Sequence, residues 1–245
     1  MNAALMRIPC EVAPFSLSGT VYGTLLNHRS ALEAVAGEAG KPPYNALPRA
    51  PVLYLKPRNT LAAGGDPVEI PAGIAELEAA ACLGIVIGRT ACRVSEATAL
   101  DHVAGFLIVN DVSVPHSNYF RPAVRYQARD GFCPLGPRVT PRASIVDPDA
   151  LLIRTYVDGA LAQTAGTAEL LRPAARLLAE VTNFMTLSPG DVLAAGAAAP
   201  APRVRAGQSV RIEIDGLGAL TNPFVAEVHP FEVPVQAAVQ PADGR

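Results

Sequence analysis

The run Gly105-Phe106-Leu107-Ile108-Val109 leads into Asn110-Asp111-Val112-Ser113. A carboxylate at the end of a buried apolar strand is costly unless it is paired or coordinates a cation. Asp111 is therefore the first candidate for chemistry. The usual catalytic motifs are missing around it. Gly84 and Gly88 are not followed by the Lys-Ser/Thr of a phosphate loop, and neither a G-x-S-x-G elbow nor an H-E-x-x-H pair occurs. The four histidines, His28, His102, His116 and His229, do not cluster. His28 is the best placed, directly after a strand-like segment, but a structural role for it comes first.

The rest of the chain must position that carboxylate, and its composition limits the options. It has 245 residues, is 50% hydrophobic and carries a formal net charge of −2. That supports a substantial core and offers no electrostatic case for nucleic acid or an anionic membrane. The cysteines Cys10, Cys82, Cys92 and Cys133 lack C-x-x-C spacing, which argues against zinc or a redox dithiol. Cys82 and Cys133 read as small core residues. The first residues show neither a signal peptide nor a membrane span, so a reducing cytoplasm is the expected compartment.

Pro and Gly are spread throughout, which predicts many short elements. Strands are expected at 17–26, 51–55, 68–71, 77–87, 192–195, 210–214 and 217–221. The 77–87 run is nearly continuous in apolar residues and so is buried on both faces. Asp158-Gly159 predicts a two-residue hairpin turn between 154–157 and 160–163. Helices are expected at 30–36, with Ser30 as N-cap and Glu33 completing a capping box; at 95–104; and at 173–185. In the last, Ala174, Leu177, Leu178, Val181, Phe184 and Met185 fit a period of 3.6. The fold class is mixed β with few helices (α+β). Residues 1–18 read as an extension, 19–230 as one domain and 231–245 as a flexible tail.

Several blocks occur in a specific order. They are Gly19-Thr20-Val21 leading to Leu26-Asn27-His28-Arg29-Ser30, Lys56-Pro57-Arg58-Asn59-Thr60, Tyr119-Phe120-Arg121-Pro122 and Arg129-Asp130-Gly131-Phe132-Cys133-Pro134. Together with the segment ending in Asp111, they resemble the fumarylacetoacetate hydrolase superfamily over roughly residues 19–228. The likeness is greatest to the N-terminal half, or separate subunit, of the isomerase/decarboxylases of 4-hydroxyphenylacetate degradation. The resemblance implies a β-sandwich roll, a homodimer or a hetero-oligomer with a paralogous subunit, and a small 2-oxo acid as substrate. It also implies Mg2+ or Mn2+ held by a Glu-x-Glu pair and a third carboxylate, here Asp111.

The chain departs from that pattern. Counting back eight and six residues from Gly88 places the Glu-x-Glu positions at Ala80 and Cys82. Glu76 and Glu78 form a Glu-x-Glu four residues early, roughly 13 Å away along a strand. They reach Asp111 only if the strand is locally shifted. The family's His and Glu on the first helix fall on Ala31 and Ala34, its Arg-Asp after the third ligand on Pro115-His116, its Lys near the Asp-Gly-Phe block on Gln127, and its late Gly-Thr-Pro on Gly196-Ala197-Ala198.

The candidates that remain by resemblance are Asp111, Lys56 and Gln127 as catalytic groups and Arg121, Arg125 and Gln163 as substrate contacts. Asp111 is also the one metal-ligand candidate in its expected place. Arg121 suits bidentate capture of a carboxylate, and equally a surface ion pair. Asp130 before Gly131 reads as a turn residue. Two readings stay open: an isomerase/decarboxylase acting on unsaturated 2-oxo-dicarboxylic acids such as 2-oxohept-3-ene-1,7-dioate, or a degenerate subunit assembling with a metal-bearing paralogue. An acylpyruvate hydrolase is weaker, because the base that activates water is missing.

Overall fold

The computed structural model describes residues 19–42, 45–116 and 123–227. The predicted extension, the tail, Cys10, His229 and Arg121 lie outside them. In chain order the elements are β1 (Val21–Leu25), α1 (Arg29–Ala39), β2 (Val52–Lys56), β3 (Leu61–Ala63), β4 (Val68–Ile70), β5 (Leu77–Ile87), β6 (Val103–Ser113) and α2 (Val124–Gln127). There follow β7 (Cys133–Pro141), β8 (Leu152–Val157), β9 (Ala160–Gly166), α3 (Ala174–Thr182), β10 (Val192–Ala194), β11 (Arg203–Val204), β12 (Ser209–Ile214) and β13 (Gly218–Ala226). The fold is mostly β, as the sequence predicts.

The strands form two sheets. An eight-stranded sheet runs β2-β1-β10-β5-β6-β7-β3, with β11 also paired to β5; a five-stranded sheet runs β4-β13-β12-β8-β9. Alternation along β5 and β6 assigns their two faces. Leu77, Ala79, Ala81, Leu83, Ile85 and Ile87 of β5, with Phe106 and Ile108 of β6, join Ile212 of β12 and Leu177, Leu178 and Val181 of α3 in the main core. Cys82 and Val86 of β5, Leu107 and Val109 of β6, and Cys133, Leu135 and Val139 of β7 form a second cluster on the opposite face. From Ala81 onward β5 is buried on both faces, as its apolar run predicts; Glu78 and Ala80 are only partly buried.

The eight-stranded sheet is curled around that second cluster. Four strand spacings separate β2 from β6, about 19 Å in a flat sheet. Yet the Lys56 side chain of β2 touches Asp111 of β6. Only a strongly curled sheet brings those strands face to face. Asp111 has the same parity as Leu107 and Val109, so it points into the roll.

Several expected boundaries shift, for local reasons. Helix α1 is capped by His28 rather than Ser30: the His28 ring accepts the Ser30 N–H at 3.3 Å and lies 2.9 Å from the Ser30 hydroxyl. Residues 96–102 form a 3-10 helix instead of an α-helix. The Ser95 hydroxyl meets Thr98 Oγ1 at 2.8 Å rather than capping a backbone N–H, and Val103 and Ala104 join β6. Helix α3 stops at Thr182. Phe184, assigned to its apolar stripe, is 64% exposed. Strand β6 continues through Asp111 to Ser113, so the carboxylate lies within a strand rather than beyond one. Strands β3 and β7 are not expected from the sequence: β3 is only three residues long, and Pro134 and Gly136 interrupt the apolar pattern of β7.

Phe106 is fully buried between the sheets. Replacing it with Ala should cost about 3–5 kcal/mol. Urea unfolding should show a lower midpoint with an unchanged slope.

Candidate functional site

Tyr54 and Lys56 lie two apart on β2 and therefore share a face. Across the roll, both converge on Asp111. The Lys56 ammonium is 2.6 Å from Asp111 Oδ1, in a side chain only 2% exposed. It also donates to the backbone carbonyls of Val112 at 2.8 Å, Phe132 at 2.9 Å and Gln127 at 3.0 Å. Its three protons go to the three carbonyls, while Asp111 Oδ1, which accepts no hydrogen bond, balances the charge as an ion pair. The Tyr54 hydroxyl donates to the other oxygen, Asp111 Oδ2. Burial first, and the Asp111 charge second, hold this phenol well above its ordinary value of 10.0, so it stays a donor.

Gly23 makes room for that ring. Gly23 of β1 is in register with Tyr54. A Cβ on Gly23 would fall 1.9 Å from Tyr54 Cζ. The missing side chain at this position lets the ring lie across β1 and reach the carboxylate.

The floor of the site follows from the β5–β6 register, which pairs Ala80 with Asp111 and Cys82 with Val109. Cys82 is thus a diagonal neighbour of Asp111 on the same face. On the other side, Cys133 of β7 has the parity of Leu135, which pairs with Val109. Burial pushes the Cys133 thiol up to about 12; Lys56 pulls it down and Asp111 adds to the rise. Burial and Asp111 also push the Cys82 thiol well up. Both are neutral thiols.

A hard dication needs several oxygen donors. Here one carboxylate faces a methyl group and a protonated thiol, and its own oxygens are held by Lys56 and Tyr54. These residues do not fit Mg2+ or Mn2+. Among the described residues, no group of three or more His, Cys, Asp and Glu side chains is arranged to hold a metal ion. The offset pair does not substitute. The register is unbroken from Glu78–Ser113 to Val86–Gly105, and its irregularity comes only after Val86. The local shift that Glu76 and Glu78 would need is therefore not there. Glu78 instead accepts from the Ser113 hydroxyl at 3.2 Å and pairs with Arg203 at 3.0 Å. Glu76 lies 3.7 Å from Arg203 and 3.4 Å from Arg205.

The other candidates spread out. Gln127 ends α2, is buried, and meets Lys56 through its backbone carbonyl. Arg125 is exposed and lies 5.1 Å over the Tyr126 ring. Gln163 sits on β9 of the other sheet, where its amide donates to the Pro200 carbonyl at 2.7 Å. Asn59 holds Asp130 at 2.7 Å, which fits the turn role read for that residue. Ala31 and Ala34 lie on α1 and supply no acid or base. His28 Nε2 is 3.4 Å from the Glu169 carboxylate, a neighbour the sequence does not suggest. Burial holds its ring below the ordinary 6.5 although Glu169 pulls upward. Tyr54 was also missed, although its spacing from Lys56 was a usable signal.

The whole fold carries one family signature. The family model for fumarylacetoacetate hydrolase, C-terminal, matches residues 20–225. The chain belongs to this family. It is 41% identical over 211 residues to a 4-hydroxyphenylacetate degradation bifunctional isomerase/decarboxylase of Salmonella dublin, and 37% identical over 211 residues to its counterpart in Escherichia coli. Each match covers 86% of this chain and 48% of the relative, so the chain spans about half the length of these curated relatives. Among solved structures, it resembles a 5-carboxymethyl-2-hydroxymuconate delta-isomerase from Mycobacterium smegmatis, with TM-score 0.74, 32% identity and coverage of 89% and 82% of the two chains. It also resembles a maleylpyruvate hydrolase from Sphingobium sp. SYK-6 in complex with manganese(II) and pyruvate, with TM-score 0.71, 28% identity and coverage of 85% and 71%.

Two outcomes follow from the site's geometry. Lys56→Met leaves a half-buried carboxylate and three carbonyls without their cation. It should cost about 3–5 kcal/mol in urea unfolding, and Asp111→Asn in the same chain should recover part of that loss. Second, a thiol-specific reagent at pH 8 should label exposed Cys92 in the folded protein. Cys82 and Cys133 should be labelled only on unfolding, as peptide mass mapping will show.

Proposed function

We propose that this chain is the metal-free member of an isomerase/decarboxylase assembly for unsaturated 2-oxo-dicarboxylic acids of the 2-oxohept-3-ene-1,7-dioate type, in aromatic catabolism. It pairs with a metal-bearing paralogue and contributes interface and substrate contacts, with the exposed Arg125 as one candidate contact. One observation carries the reading: Asp111 faces Ala80 and is held on both oxygens by Lys56 and Tyr54. The matches to half of a bifunctional enzyme support a two-part arrangement. A cytoplasmic setting fits cysteines 82, 92 and 133, which are all free. Among the described residues, no helix is long and apolar enough to cross a membrane.

Hydrolysis is disfavoured, because Ala31 and Ala34 leave no base to activate water at those positions. Isomerisation by the chain alone would need a proton carrier, and the Asp111 carboxylate is already engaged by an ammonium and a phenol.

The test is turnover of 2-oxohept-3-ene-1,7-dioate, followed by ultraviolet absorbance with Mg2+ or Mn2+ present. The purified chain alone should be inactive, and adding it to the metal-bearing paralogue should raise activity above that of the paralogue alone. Metal-dependent turnover by the isolated chain would overturn the proposal.

A further inference from the structure

We infer that Tyr54 is the residue that bars a cation from this site, so that loss of the two carboxylates at positions 80 and 82 is not the whole reason the site takes no metal. This deepens the proposed function and rests on its premise that the chain works without its own dication. Three observations carry it. The Tyr54 hydroxyl takes Asp111 Oδ2, the oxygen that Lys56 leaves free. The ring has its own berth across Gly23, where any side chain would collide with it. Tyr54 is on the same strand face as Lys56, so the backbone that places the internal cation also places the plug. An incoming dication would have to displace a hydrogen bond to a charged acceptor and a packed ring together, and both cost free energy. Lys56 neutralises the carboxylate; Tyr54 occupies the coordination space.

The inference makes a specific demand: returning carboxylates to the floor should not be enough. The experiment compares Ala80→Glu/Cys82→Glu with and without Tyr54→Phe, titrating each with Mn2+ and reading free ion by electron paramagnetic resonance. Folding is checked by circular dichroism and melting. Ala80 is only half-buried. Ala80→Glu with and without Tyr54→Phe therefore gives a milder second pair if the variant with both carboxylates fails to fold. In either pair, removing the hydroxyl should tighten Mn2+ binding about tenfold or more, the scale of one lost hydrogen bond to a charged group. Equal Mn2+ affinity with Tyr and with Phe at position 54 would overturn the inference, whether both bind or neither does. That failure would leave the partner role standing. The partner role fails on a different readout, turnover by the unmodified chain alone.

Discussion

An ammonium group with 2% exposure must be matched oxygen by oxygen, and that requirement organises the inner face of the roll. Lys56 takes one oxygen from the Asp111 carboxylate and one each from three backbone carbonyls. Those carbonyls belong to Val112 on β6, Gln127 at the end of α2 and Phe132 just before β7. One side chain therefore ties an edge strand of the eight-stranded sheet to β6, to the end of α2 and to the residue that leads into β7. The curl of the sheet and the pairing of charge are two aspects of the same contact. Neither can be changed alone: flattening the sheet strands the cation, and removing the cation leaves the carboxylate without its counter-charge.

The same contact sets what the site can do chemically. A family scaffold that can surround a dication with oxygen donors here presents a methyl group, two neutral thiols and an internal salt bridge. The positive charge is supplied by the chain itself, with the geometry of a hydrogen-bonded ammonium. Such a charge balances Asp111 but offers no open position for a 2-oxo acid to ligate. The maleylpyruvate hydrolase solved with manganese(II) and pyruvate shares the fold at TM-score 0.71 with 28% identity.

Much of the architecture was legible from residue pattern. The continuous apolar run of β5, the Asp158-Gly159 turn and the stripe of α3 each specify their element locally. The family could be recognised because several blocks occur in order. The assignment of the family's ligand positions to Ala80 and Cys82 came from counting along one strand, and the β5–β6 register sets Ala80 opposite Asp111. What could not be read was the partner across the roll. Lys56 and Asp111 are 55 positions apart on strands that are not neighbours in the sheet, so no local pattern links them. Tyr54 had a usable signal in its parity with Lys56, but its role depends on Gly23 opposite, a contact made only by strand pairing. The His28 cap and the exposed Phe184 show the same limit: each depends on neighbours that sequence spacing does not reveal.

Asp111 is engaged from within the chain by the Lys56 ammonium and the Tyr54 hydroxyl, and the proposed role has it take no divalent cation. Titrating the unmodified protein with Mn2+, alongside Asp111→Asn, tests it most directly. The account predicts the same weak, non-saturating signal for both proteins. Saturable binding by the unmodified chain that disappears in Asp111→Asn would contradict it.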